Sequence, residues 1–84
     1  MVIKEVILTQ KFEEDTKHIK DNLLKERIKK HIKKIIERPD IGKPLRYSLK
    51  GERTIYIKPY RLIYSIANDT LILLRFEHRK EVYG

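Results

Sequence analysis

Leu24, Ile28, Ile32, Ile35 and Ile36 recur at helical spacing, and Lys25, Arg27, Lys29, Lys30, Lys33 and Lys34 fill the gaps between them. That spacing predicts a helix with one apolar face and one strongly basic face. The helix should end by Glu37. Arg38 precedes Pro39, and a residue before proline is pushed out of the helical region. A second, shorter stripe runs through Phe12, Thr16, Ile19 and Leu23. Thr9 can cap its start, and Glu13, Glu14 and Asp15 suit the positive end of a helix dipole. Asp21-Asn22 interrupts the pattern as a turn or cap. Two helices with so few apolar stripes cannot stand alone; they need a sheet.

The rest of the chain supplies one. Val2 to Leu8 reads as a short β-branched strand. Pro39-Asp40-Ile41-Gly42-Lys43-Pro44 is a loop by composition. Leu45 to Leu49 then predicts a strand, and Lys50-Gly51-Glu52 a turn. From Arg53 to Lys58 the chain alternates, with Ile55 and Ile57 on one side and Thr54, Tyr56 and Lys58 on the other. Pro59 allows a break. Tyr60 to Ala67 resumes as a strand, Asn68-Asp69-Thr70 turns, and Leu71 to about His78 is the final strand. The order is β-α-α-β-β-β. The expected architecture is a single α+β domain over residues 1–84, with a two-helix hairpin on one face of an antiparallel sheet.

Composition narrows the partners. The formal net charge is +8, with 20 Lys and Arg against 12 Asp and Glu, which points to a polyanionic partner: nucleic acid or an acidic protein. The absence of cysteine excludes disulfides and thiolate metal sites and suits a reducing cytoplasm. The longest apolar run, Leu71 to Leu74, is far short of a membrane span. No signal peptide is expected, because Lys4 and Glu5 interrupt the first residues. No acidic cluster has metal-ligand spacing. Abundant Ile, Lys and Glu hint at a heat-adapted source.

The register of the last hairpin decides which side chains share a face. A two-residue loop would pair Ala67 with Thr70 and mix polar with apolar side chains on each face. A three-residue loop pairs Ala67 with Leu71 and segregates them, so it is the expected one. Leu62, Tyr64, Ile66, Ile72, Leu74 and Phe76 would then cover the helices. Arg61, Ile63, Ser65, Leu73, Arg75, Glu77 and Arg79 would line the open face, a cationic cup floored by Ile63 and Leu73. Such a floor would also offer a partner apolar surface. Arg75 and Glu77 read equally well as a surface ion ladder. His78 would point to the helix side, and Tyr60 and Tyr64 read as packing.

Gly42-Lys43-Pro44-Leu45, Leu49-Lys50-Gly51 with Arg53, Tyr60-Arg61-Leu62-Ile63-Tyr64 and His78-Arg79-Lys80-Glu81-Val82-Tyr83 together resemble the RelE/ParE superfamily of toxin–antitoxin toxins, the RelE branch most of all. The resemblance covers nearly the whole chain. It implies a ribosome-dependent endoribonuclease that cuts mRNA in the ribosomal A site. It also implies a RelB-like antitoxin, acidic and extended, that wraps and silences the toxin. By carry-over, Arg61 and Arg79 bind phosphate and stabilise the transition state, and Tyr83 orients or stacks on a base near the scissile bond. Some relatives use lysines of the middle strand as proton acceptors. Here Tyr56 stands where one would align, and Lys58 is nearby.

Metal-free RNA cleavage makes matching demands. The ribose 2′-OH attacks the adjacent phosphorus, so a base, an acid and fixed positive charge are required, and no cofactor. Arginine suits the last role because its planar fork binds phosphate in bidentate fashion and stays charged. Lys43, Arg46, Lys50, Arg53, Lys29 and Lys33 are the candidates for contact with RNA or ribosome backbone. Two other classes fit the same fold: a ParE-like inhibitor of DNA gyrase, and a non-catalytic basic RNA-binding relative.

Overall fold

The computed structural model describes residues 2–45 and 51–79. β1 (Glu5–Leu8) leads into α1 (Gln10–Thr16) and α2 (Asn22–Glu37), followed by β2 (Lys43–Pro44), β3 (Arg53–Ile57), β4 (Tyr60–Ala67) and β5 (Thr70–His78). The five strands form one sheet in the order β1-β5-β4-β3-β2. This is the expected α+β arrangement, with one refinement. β2 to β5 are antiparallel, but β1 lies parallel to β5 at the edge, from Glu5 opposite Thr70 to Leu8 opposite Leu73.

Each helix starts where a side-chain oxygen meets its free amides. Thr9 accepts from the Phe12 amide, and Asp21 accepts from the Leu23 and Leu24 amides. α1 ends at Thr16, well before Leu23, which lies in the first turn of α2 and is 77% exposed. Leu23 therefore leaves the predicted buried stripe, because the break at Asp21 resets the helical phase. α2 ends at Glu37 as predicted and buries Leu24, Ile28 and Ile35 against the sheet, with Ile32 and Ile36 partly covered. Phe12, Ile57, Leu62, Tyr64, Leu71, Leu73 and Phe76 complete the core.

Two further expectations change. The predicted strand at Leu45–Leu49 falls largely outside the described residues, and the pairing with β3 begins earlier, at Lys43 and Pro44. The turn between β4 and β5 is the two-residue one: Ala67 pairs with Thr70, and Asn68 takes the left-handed conformation with φ 57°. A bulge then restores polarity. Ile63 pairs with Arg75 but Tyr64 pairs with Leu73, so Leu74 is the extra residue. Leu71 and Leu73 thus face the helices on the turn side of the bulge, and Phe76 faces them beyond it. Ile72 and Leu74 are displaced from the core positions predicted for them, and Leu73 from the open face. The apolar run Leu71–Leu74 has no alternation with which to specify its own parity.

Thr9 fixes this bulge. Its hydroxyl accepts from the Phe12 amide at 3.1 Å and donates to the Leu74 carbonyl at 2.7 Å. β1 ends opposite Leu73, which leaves the β5 edge beyond it without a strand partner. There the Phe76 amide donates to the Asp15 carboxylate at 3.0 Å, so α1 takes over from β1.

Candidate functional site

Cross-strand pairing places Tyr56, Arg61 and Glu77 side by side, and Thr54, Ile63 and Arg75 two pairs further along. All lie on the face away from the helices, because the residues between them, Ile55, Ile57, Leu62 and Phe76, pack into the core. Arg79 follows at the end of β5. Its backbone amide donates to the Pro59 carbonyl at 2.9 Å, tying the strand end to the β3–β4 turn. Its guanidinium carbon stands 5.3 Å from the ring centroid of Tyr56. The ring is 47% exposed, so the open face presents an aromatic surface with a cation over it.

The predicted cup is not an open cationic surface over an apolar floor. Leu73 belongs to the core on the other side, and Ile63 is fully buried. A chain of ion pairs crosses this face. Arg61 Nη2 contacts Glu77 Oε2 at 3.2 Å, Arg75 Nε contacts Glu77 Oε1 at 2.7 Å, and Arg75 Nη2 contacts Glu52 Oε1 at 3.1 Å. Two guanidinium groups meet two carboxylates, so this chain of contacts carries no net charge. Burial alone would lower the Arg75 pKa, but the hydrogen bonds and charges of Glu52 and Glu77 outweigh it and hold the group above its ordinary value. The ladder reading of Arg75 and Glu77 therefore holds, and it extends to Arg61.

The other candidates are spread around this centre. Lys58 is exposed in the β3–β4 turn, and its carbonyl accepts from Arg27 Nη1 at 2.9 Å, which ties α2 to that turn. Arg53 is turned inward on the 39–42 loop: its Nη1 donates to the Gly42 carbonyl at 2.7 Å and to the Asp40 carbonyl at 3.3 Å. Lys43 is exposed on β2, and Lys29 and Lys33 are exposed on α2. Arg46, Lys50 and Tyr83 lie outside the described residues. His78 faces the helix side, as predicted. Its ring meets Tyr60 edge-on at 5.1 Å, and Tyr60 stacks on Phe76 at 4.8 Å.

Sequence reasoning passed over Tyr56 and Glu77 as parts of the site. Tyr56 had a legible signal: it is an aromatic residue on the polar side of an alternating strand. Glu77 had a partial one: alternation put it on the open face as a partner for Arg75, but its contact with Arg61 depends on the register across the hairpin.

The family model for the ParE toxin of type II toxin–antitoxin systems, parDE, matches residues 6–83. Toxin RelG of Mycobacterium tuberculosis is 40% identical over 45 residues, which is 51% of this chain and 52% of the relative. The chain thus spans about half the length of the curated relative it matches. Among solved structures, the RelBE2 toxin–antitoxin complex of Mycobacterium tuberculosis contains a chain 28% identical, with a TM-score of 0.74 over 93% of this chain and 100% of that one. The RelB–RelE antitoxin–toxin complex of Methanococcus jannaschii shares the fold, with a TM-score of 0.72, 23% identity and coverage of 92% and 94%.

Proposed function

The chain belongs to the ParE toxin family of type II toxin–antitoxin systems, and we propose that it is the toxin of such a pair and acts as a metal-independent, ribosome-dependent endoribonuclease on mRNA in the A site. The observation that carries this reading is the grouping of Arg61, Arg79 and exposed Tyr56 on one open face, beside Lys58.

A ribose 2′-OH attacks the adjacent phosphorus. Its proton leaves to a base, the bond to the 5′ oxygen breaks, and that oxygen takes a proton; the products are a 2′,3′-cyclic phosphate and a 5′-hydroxyl. Arg61 and Arg79 supply fixed charge to the phosphorane oxygens. Tyr56 offers a plane on which a flanking base stacks, and Tyr83 is assigned the same task nearer the scissile bond. Lys58 is the nearby amine for proton transfer. The exposed lysines of α2, with Lys43, Arg46 and Lys50, meet ribosomal RNA backbone. Placement of mRNA by the ribosome supplies much of the rate, because a bound near-attack geometry removes the entropic part of the barrier. An acidic, extended antitoxin of the RelB type is the expected partner, in keeping with the complexes whose toxins share this fold.

The test is primer extension on an mRNA under translation, with and without ribosomes, with this chain and its Arg79→Ala form. Cuts inside codons that need ribosomes and vanish with the substitution support the nuclease. Absence of cuts, together with loss of gyrase supercoiling activity, favours the second reading, a gyrase inhibitor. That reading draws on the ParE description of the family and on the neutralised state of Arg61.

A further inference from the structure

On the nuclease reading above, we propose that Glu77 stands in for a phosphate on Arg61, so that RNA must displace one of the protein's own carboxylates before Arg61 engages the scissile group. Arg61 Nε and Nη2 both donate to Glu77 Oε2, at 3.3 and 3.2 Å. Both donors converge on a single carboxylate oxygen, a place that one phosphate oxygen could take instead. The other oxygen, Oε1, accepts from Arg75 Nε at 2.7 Å, and Arg75 is itself held by Glu52 at 3.1 Å.

The arrangement is asymmetric. Glu77 has a short bond to an anchored arginine on one side and longer bonds to Arg61 on the other. When an RNA phosphodiester arrives, Arg61 changes partner while Glu77 keeps Arg75; Glu77 and Glu52 then share one guanidinium, and the cost of that extra negative charge is part of the barrier to exchange. The Arg61 and Glu77 side chains are only 18% and 23% exposed, so solvent screens their attraction less than that of a surface pair. Glu77 therefore sets a threshold. A loose RNA strand gains little from Arg61, because the exchange replaces one anion with another. An RNA already held by Tyr56 and Arg79 gains the transition-state contact. A carboxylate placed against weak ligands in this way favours substrate presented by a larger assembly.

The experiment measures binding, so it is independent of cleavage. The probe is a short single-stranded RNA with 2′-O-methyl sugars, which lack the attacking hydroxyl, titrated across a salt series. Glu77→Gln keeps the side-chain shape and removes the competing charge. Glu37→Gln, an exposed carboxylate at the end of α2, controls for the change in net charge. Glu77→Gln should bind about three- to tenfold more tightly than the Glu37→Gln control at low salt, and its log–log salt slope should steepen by about 0.7, one phosphate contact for a single strand. Adding Arg61→Ala should abolish that gain.

Glu77→Gln that binds no better than the control overturns the proposal and makes Glu77 a structural bracket only. Failure of the unsubstituted chain and every variant to bind the probe at low salt overturns the nuclease reading instead, and the proposal with it. The unsubstituted chain gives a second readout that needs no folding of a variant. On RNA addition the Arg61 Nε–H resonance should shift while that of Arg75 stays; an unmoved Arg61 signal in the bound state overturns the proposal.

Discussion

The guanidinium of Arg79 lies over the ring of Tyr56, 5.3 Å from its centroid, and the two come from opposite edges of a three-strand block with Arg61 between them. Tyr56 is thus a platform next to the residues proposed to hold phosphate. Tyr56→Ala should lower the melting temperature only modestly, because the residue is 47% exposed and lies outside the core. It should weaken RNA binding by about 1–3 kcal/mol, the worth of one stacked base. Tyr56→Phe should retain most of the affinity. RNA titrations of both variants check this, and equal loss in both would tie the effect to the hydroxyl.

Gly42 touches the buried phenol of Tyr64. The Gly42 amide donates to the hydroxyl at 2.9 Å, and the hydroxyl donates to the Pro39 carbonyl at 2.8 Å. A Cβ at Gly42 would stand 2.7 Å from that hydroxyl, 2.8 Å from the ring and 3.1 Å from the Thr54 carbonyl. Tyr64 is fully buried and has no room to retreat. Gly42→Ala should cost about 1–3 kcal/mol as overpacking. Tyr64→Phe costs a similar amount by orphaning two backbone groups, about 1–3 kcal/mol. The double variant should cost less than the sum, because removing the hydroxyl relieves part of the clash; urea midpoints of the four proteins test the coupling.

Asp15 ties α1 to β5 through the Phe76 amide, with Lys11 Nζ on its other oxygen at 2.8 Å. Asp15→Ala should destabilise by about 1.5–3 kcal/mol, the range for a hydrogen bond to a charged group. Asp15→Asn should cost less, since its carbonyl still accepts. Amide hydrogen exchange distinguishes a local from a global effect: the Phe76 amide should exchange faster than its neighbours in β5.

Tyr64 also predicts a response to alkali. Burial pushes its phenol above the ordinary value of 10.0, and the Gly42 amide and Arg53 offset part of that. The folded chain then keeps its proton where the unfolded chain releases one. The contribution is fully present below the unfolded pKa and is lost as pH rises through the folded value. Lysines titrate in the same range, so the comparison with Tyr64→Phe isolates the effect. The unsubstituted chain should lose more stability than the variant between about pH 9 and about pH 11; equal losses would contradict the assignment.

Local features of the chain determined most of its elements. The α2 stripe with Arg38-Pro39 gave that helix its face and its end, Thr9 and Asp21 gave the caps, and Tyr60–Ala67 emerged with the predicted limits. These are near-neighbour properties, in which a side chain acts on its own backbone or on the next turn. The superfamily was legible as well, because YRLIY and HRKEVY lie at a recognisable spacing in so short a chain. Tertiary structure decided the bulge at Leu74, which lets a two-residue turn coexist with inward Phe76 and draws its carbonyl partner from Thr9, 65 residues away. It also decided the state of Arg61. Its charge is plain in the sequence, but its engagement by Glu77 follows from which residues stand opposite across a hairpin. A one-residue change of register exchanges every face, and only packing against the helices selects among registers.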